Sequence, residues 1–496
     1  MIILRYSITC WFFFLSISSF AQGYFEITED VAEAYRLSST LQFDLARKKI
    51  AEIKISEPDN LLVYHAENYI DFFTIFINED EDEYNRLEKN KKIRLKKLRT
   101  GNKNSPYYLF VEAEINLQWA TARGKFGEKF KPLREIYRAY KLLEENQKRF
   151  PNFIANKKSL CIIHALGESM PGLLKTIMGV TGSIELGTSE IKAVIDYSNT
   201  NDFVFNDESY AIYAYILFFQ NNKREEAYNL LKEANLDHSK SPLLCFLKAN
   251  IAQKTGRTKE AIKILNERPR GDQYFDFPYL DFMYGKFMLY NLNPEAKTYM
   301  LKFVEEFNGR HFIKEAYQKL AWYELVTNED IVSYKKYMEL CQTQGYALVD
   351  EDKQALKESK EKEIPNMTLL KARLLFDGGY FAKGYNLLIR KSYLFIESSE
   401  YQLEFNYRMG RLTHELKSYT DAIKYYKKTI ENGKKQDSYM ACNSALQVAL
   451  IYEKQGNIKL AKHYFDQCTD ISPKEYKASL HQKAKSGLNR IKYLMK

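Results

Sequence analysis

The feature that most constrains this chain is a small residue that returns at the same place in successive helical stretches. Ala227 follows Asn221-Asn222-Lys223-Arg224-Glu225-Glu226, and Ala261 follows Gly256-Arg257-Thr258-Lys259-Glu260 exactly one 34-residue step later. Ala296 comes after a further 35 residues, and Ala422 and Ala461 are 39 apart. Tyr419 and Tyr426 flank Ala422, and Tyr452 and Phe465 flank Ala461. Small residues let two helices cross closely, and large ones wedge between neighbours. A helical unit of this length cannot bury its apolar face alone, so units must stack. The chain therefore reads as all-α, a right-handed helix-turn-helix solenoid of six or seven units over roughly residues 205–473.

In the unit around Ala461, Val448 and Ala449 precede Tyr452, then come Phe465 and Pro473. On these residues the chain resembles the tetratricopeptide repeat (TPR) family. Departures are frequent: Tyr215 stands where that family has glycine, and Asn406 where it has tryptophan. The resemblance implies a concave groove lined by the first helix of each unit, a protein or peptide partner, and no cofactor. It nominates Tyr213 and Ile216, then Phe246, Asn250 and Lys254, in the earlier units. In the later ones it nominates Glu404, Tyr407, Arg408, Arg411 and His414, then Asn443, Gln447, Leu450 and Lys454. Aromatic and Arg anchors among polar groups are what interface hot spots use. The lysine-asparagine set with which some TPR domains clamp a carboxylate is incomplete, since Glu404 stands where a basic residue is wanted.

Residues 1–21 read as an export signal. Arg5 precedes an apolar run from Ile8 to Phe20, and Ser19-Phe20-Ala21 suits cleavage before Gln22. Its closing Ala-Gln pair is similar to signal peptides common in Bacteroidota. No later segment is apolar enough to span a bilayer. The mature chain is expected to be periplasmic or secreted.

Residues 22–200 read as an irregular helical half. Within it, residues 161–187 are apolar and broken by Gly167, Pro171, Gly172, Gly179, Gly182 and Gly187, as in a buried hairpin joining two halves. A partner- or lipid-facing surface is the second reading of that segment, which would give a peripheral membrane contact. A similar element, between an irregular helical half and a TPR half, occurs in the eukaryotic TPR family linked to inclusion-body clearance. Residues 474–496 read as a capping helix, with Leu480, Ala484, Leu488 and Ile491 on one stripe.

Chemistry is absent from the motifs. The chain has no phosphate loop, no H-E-x-x-H, no paired C-x-x-C and no G-x-S-x-G, and its 7 histidines are dispersed. Catalytic and metal-ligating residues are therefore expected to be none, and the protein not to be an enzyme. The five cysteines outside the signal are an odd, widely spaced set, read as buried thiols or as one Cys442–Cys468 bridge. The net charge of +10 reads as scattered basic residues, favouring acidic protein faces or anionic polymers over nucleic acid. The leading expectation is an exported, non-enzymatic scaffold that binds a protein or peptide of the cell envelope. The alternative is a carbohydrate-binding component of nutrient uptake, for which only Trp119 and Trp322 remain outside the signal.

Overall fold

The computed structural model describes residues 22–168, 179–361, 363–395 and 399–492. Among these residues there are 24 α-helices and no strand. The proposed signal, and residues 169–178 of the Gly-rich segment, lie outside them.

The first eight helices are α1 (Glu29–Ser39), α2 (Phe43–Ser56), α3 (Leu62–Asn78), α4 (Glu81–Leu98), α5 (Tyr107–Lys125), α6 (Phe130–Arg149), α7 (Ala155–Gly167) and α8 (Ile184–Ser198). Thr28, Asp80 and Ser183 start α1, α4 and α8 by accepting from the backbone N–H of Val31, Glu83 and Leu186. Glu81, Asp82 and Glu83 open α4 and Lys96 and Lys97 close it, which suits the helix dipole. Isolated bridges tie Gly23 to Gly101 and Tyr24 to Asn60, anchoring the strand-like entry to α1. In the Gly-rich segment, α8 packs on α7 at close range. A Cβ on Gly182 would stand 2.6 Å from His164 Cα, so glycine is required there.

Seven antiparallel pairs follow. They are α9 (Asn206–Tyr215) with α10 (Arg224–Glu233), α11 (Pro242–Lys254) with α12 (Thr258–Asn266), and α13 (Tyr279–Tyr290) with α14 (Ala296–Glu306). Next come α15 (Ile313–Tyr323) with α16 (Ile331–Thr343), then, after an inserted α17 (Asp350–Ser359), α18 (Met367–Asp377) with α19 (Phe381–Arg390). The last are α20 (Ser399–Glu415) with α21 (Tyr419–Gly433) and α22 (Met440–Lys454) with α23 (Ile458–Asp470), covered by α24 (Lys477–Lys492). Ala227, Ala261, Ala296, Ala422 and Ala461 are all 0% exposed, as the spacing of small residues requires. Leu480, Ala484 and Ile491 turn inward from α24, closing the apolar end of the stack.

Departures from the repeat have local consequences. Tyr215, in the family's glycine position, is exposed, and the helix continues as a π-turn over Ile216–Gln220. With its ring turned to solvent, Tyr215 does not enter a helix crossing. Asn406 is buried and donates from Nδ2 to the Gln402 carbonyl at 2.9 Å, satisfying its amide where tryptophan would have packed.

Polar joints fasten the two halves. Buried Lys158 of α7 pairs with Glu114 of α5 at 2.6 Å and Glu208 of α9 at 3.0 Å, and the Tyr69 hydroxyl donates to Glu208 at 2.8 Å. Removing one member of such a pair typically costs about 3–5 kcal/mol, because the other is left charged and buried. Farther along, Glu79 pairs with Lys125 and accepts from the backbone N–H groups of Arg310 and His311 at 3.0 and 2.8 Å. Burial pushes the Glu79 carboxyl up, but His311 and Lys125 outweigh it and hold it at about 2.

The insertion α17 was invisible in the repeat pattern, and it lies on the side lined by first helices. Asp352 accepts from the N–H groups of Phe312 and Glu315 at the start of α15. Glu358 accepts from Gln318 of α15 at 2.7 Å and Arg373 of α18 at 3.0 Å. Lys357 pairs with Glu475, and Tyr476 donates to Gln354 at 3.0 Å, so the entry to α24 folds back onto α17. The chain itself thus covers this side of α15 and α18.

Candidate concave interface

A cavity of about 390 Å³ opens between the last two pairs, lined by His414, Tyr419, Gln447, Leu450, Ile451, Lys454 and Gln455. Gln447, Leu450 and Lys454 fall three and four residues apart on α22, so they share one face. His414 comes from the end of α20 and Tyr419 from the start of α21, across the turn between them. Leu450 and Ile451 form an apolar floor. Lys454 stands at the rim, its ammonium 3.4 Å from the Tyr419 hydroxyl and 5.7 Å from that ring's centroid. The His414 ring packs edge-on to Tyr419 at 5.7 Å and Tyr426 at 6.2 Å. Burial, with the Lys454 charge beside it, lowers the His414 pKa and favours the neutral ring. The volume falls in the range of about 300–1,000 Å³ usual for ligand pockets. An apolar floor with a cationic rim can hold an apolar or aromatic side chain next to an anionic or carbonyl group.

The other nominated residues take different positions. Tyr407 is 2% and Arg408 9% exposed, which corrects the expectation that both face the groove. Arg408 lies on its own helix against Glu404, with Nε 2.6 Å from Oε1, so the guanidinium is neutralised one turn away. The Tyr407 hydroxyl accepts from Asn443 Nδ2 at 2.6 Å, linking α20 to α22, and burial pushes its pKa up to about 12. Arg411 stacks over Phe376 of α18 at 3.7 Å from the centroid, joining two units while staying half-buried. Phe246 packs against Phe277 and Tyr279, each at 5.9 Å, and Tyr213 and Asn250 are half-buried. Lys254 is exposed, and its pKa is lowered by burial of the surrounding face and by the Lys286 charge. Glu315 lies beside that lane, 3.3 Å from Lys286, and in front of it stands α17. The structure therefore gathers His414, Gln447, Leu450 and Lys454 around one open cavity and leaves Tyr213, Phe246, Asn250 and Lys254 apart from it.

Tyr419, Ile451 and Gln455 complete the cavity without having been nominated as groove residues. Tyr419 belongs to a second helix, and only the close approach of α21 to α22 brings it there. Trp119 and Trp322 are both buried, so neither presents a face for sugar stacking. No group of three or more His, Cys, Asp or Glu is placed to hold a metal ion among the described residues.

Residues 443–475 match the family described as tetratricopeptide repeat, the stretch that holds most of the cavity-lining α22. No curated protein matches the chain. A solved structure titled "Structure of Naa15/Naa10 bound to HypK-THB" aligns over 93% of this chain and 65% of that one, at 14% identity and a TM-score of 0.25. The chain thus spans slightly less than two thirds of that protein's length. The stretch 443–475, most of the final helical pair and the turn that follows, is thus similar to a tetratricopeptide repeat and lies at the end of an all-α stack of seven pairs.

Proposed function

We propose that this protein is an exported scaffold that holds a protein or peptide of the cell envelope on its concave side, at the cavity formed by α20, α21 and α22. The observation that carries the reading is the cavity itself. It combines an apolar floor with a lysine rim. Export is supported by the composition of residues 1–21, with one arginine before an apolar run and a small-x-small end. A scaffold needs no reacting groups, and the cavity lining offers none paired for acid–base or nucleophilic chemistry.

The test is crosslinking and affinity recovery from the native envelope, with wild type beside Leu450→Arg and Gln447→Trp. Both changes fill or charge the cavity from half-buried positions; Leu450 also packs on the edge of the last core, so helicity is measured beside binding. Recovery of one envelope protein by wild type and its loss with both variants, at unchanged helicity, is the expected result. Equal recovery by all three removes the cavity from the interface. Recovery of glycan alone moves the assignment to the carbohydrate-binding alternative.

A further inference from the structure

The basic residues of this protein are not evenly scattered. Residues 86–149 carry 18 Lys and Arg against 7 Asp and Glu, a net +11, so the remainder of a chain totalling +10 is close to neutral. All seven of those acids are already in ion pairs, Glu88 and Glu135 with Arg123, for example, and Glu114 with Lys158. Lys89, Lys92, Lys96, Lys97 and Arg134 are exposed and have no ion pair among the described residues.

Cations gather where α4 and α6 lie side by side. Lys91 of α4 pairs with Glu135 of α6, and Lys131 of α6 reaches back to Glu88 of α4 at 3.5 Å. Glu112 of α5 holds Arg99, just after α4, at 2.8 Å and Arg138 of α6 at 3.0 Å. Lys92 and Lys96 stand four and eight residues after Glu88, so they lie on the same edge of α4. Arg134 stands three residues after Lys131 and four before Arg138, on the edge of α6 that faces α4. The seam is edged by Lys92, Lys96 and Arg99 on one side and by Lys131, Arg134 and Arg138 on the other. Arg99 and Arg138 meet Glu112 through Nε and Nη2, which leaves both Nη1 groups without a partner among the described residues. Burial pushes the pKa of nearby Lys91 down; Glu135 opposes this, and the Arg123 and Arg138 charges add to it.

We propose that this seam is a docking lane for an acidic segment of a protein partner, held extended with carboxylates at alternate positions. Cations four residues apart on a helix repeat about every 6 Å. Alternate side chains of an extended chain repeat about every 6.7 Å, so successive carboxylates meet successive cations of one row. Guanidinium groups take carboxylates through two parallel hydrogen bonds, and the acids of the seam are already engaged by its own cations. The six edge positions present no ring for a nucleobase to stack on and no aliphatic side chain to enter a bilayer. The inference does not rest on the cavity reading, because the seam and the cavity share no residue.

The experiment is fluorescence anisotropy of a labelled peptide of alternating Glu and Ser, titrated with the chain from Gln22 to Lys496 at low and high salt. Binding that salt weakens, and that the matching peptide of Gln and Ser lacks, is expected. Lys92→Glu with Arg134→Glu should weaken it by about tenfold or more, and Lys92→Gln with Arg134→Gln should weaken it less. Neither residue has an ion pair to lose, and circular dichroism checks that helicity is kept. Lys424→Glu with Lys428→Glu makes the same charge change on exposed lysines of α21 and should leave binding intact. Absence of binding overturns the proposal, and so does an equal loss in the two Glu double variants, which would report net charge alone. Tighter binding of a single-stranded oligonucleotide or of phosphatidylglycerol vesicles, lost with Lys92→Glu and Arg134→Glu, would replace the acidic peptide with that occupant.

Discussion

Asp352 Oδ1 accepts a hydrogen bond from the backbone N–H of Glu315 at 3.0 Å, so a residue of α17 caps the start of α15 from 37 positions away. Its other oxygen takes the Phe312 N–H at 2.7 Å, and the side chain is fully buried. Burial raises its pKa from 3.8 to about 6, more than the two backbone donors lower it. A carboxyl held above its unfolded value stabilises the fold in its protonated form below pH 3.8, and that contribution is lost as pH rises to about 6. One such group is worth about 3 kcal/mol over the window. Asp352→Asn keeps an acceptor and never ionises, so its stability relative to wild type should climb between pH 4 and 7. Denaturant melts at several pH values measure this, and a constant difference would mean that Asp352 is not held protonated. Asp352→Ala should cost about 1–2 kcal/mol below pH 4 and expose residues 344–366 to proteolysis.

His65 works in the opposite direction. It is buried against Tyr35, 2.7 Å from Nδ1 to the hydroxyl, and burial together with the Lys158 charge lowers its pKa to about 3. The unfolded chain takes up this proton near pH 6.5 and the folded one does not. Stability should therefore fall as pH drops from 6.5 toward 3, by about 1.4 kcal/mol per pH unit from this residue. Comparing wild type with His65→Phe between pH 6.5 and 4.5 cancels the Asp352 contribution. Parallel stability curves would show that His65 is not held neutral.

The recurrence of Ala227, Ala261, Ala296, Ala422 and Ala461 made the stacked architecture legible, because a close helix crossing leaves a periodic mark on sequence. Gln447 and Lys454 shared one face for the same reason, being seven residues, about two turns, apart on a single first helix. Arg408 was misplaced because sequence spacing shows that Glu404 is one turn away but not that the pair turns inward. Tyr419 joined the cavity through a crossing between units that no local pattern encodes. The insertion α17 was missed because it interrupts the period, and its cap on Glu315 is a tertiary relationship.

The assigned register carries its own test. Ala461 is fully buried where α23 meets its neighbours, beside Phe465 and Tyr464. Ala461→Trp should destabilise the last pair by overpacking, at about 1–3 kcal/mol or more, with fraying that reaches α24. Calorimetry and hydrogen exchange over residues 440–492 read both effects. An unchanged melting temperature would show that position 461 is not at a helix crossing.

The thiols give the last prediction. Cys161, Cys245, Cys341, Cys442 and Cys468 are all buried and unbridged, and the Cys442 and Cys468 sulfurs lie 3.6 Å apart. Burial pushes Cys245 up to about 12 and Cys341 to about 11, which leaves almost no thiolate at neutral pH. Cys442 differs, since the Cys468 thiol beside it lowers its pKa. Treatment with diamide should therefore join Cys442 to Cys468, the two thiols losing two electrons and two protons to the reagent. In the chain from Gln22 onward, alkylation in denaturant followed by peptide mass spectrometry should then find three alkylated cysteines and one linked peptide pair. Cys442→Ser should abolish the link and leave Cys468 alkylated. Five alkylated cysteines after diamide, or a link involving Cys245 or Cys341, would contradict the packing of α22 against α23.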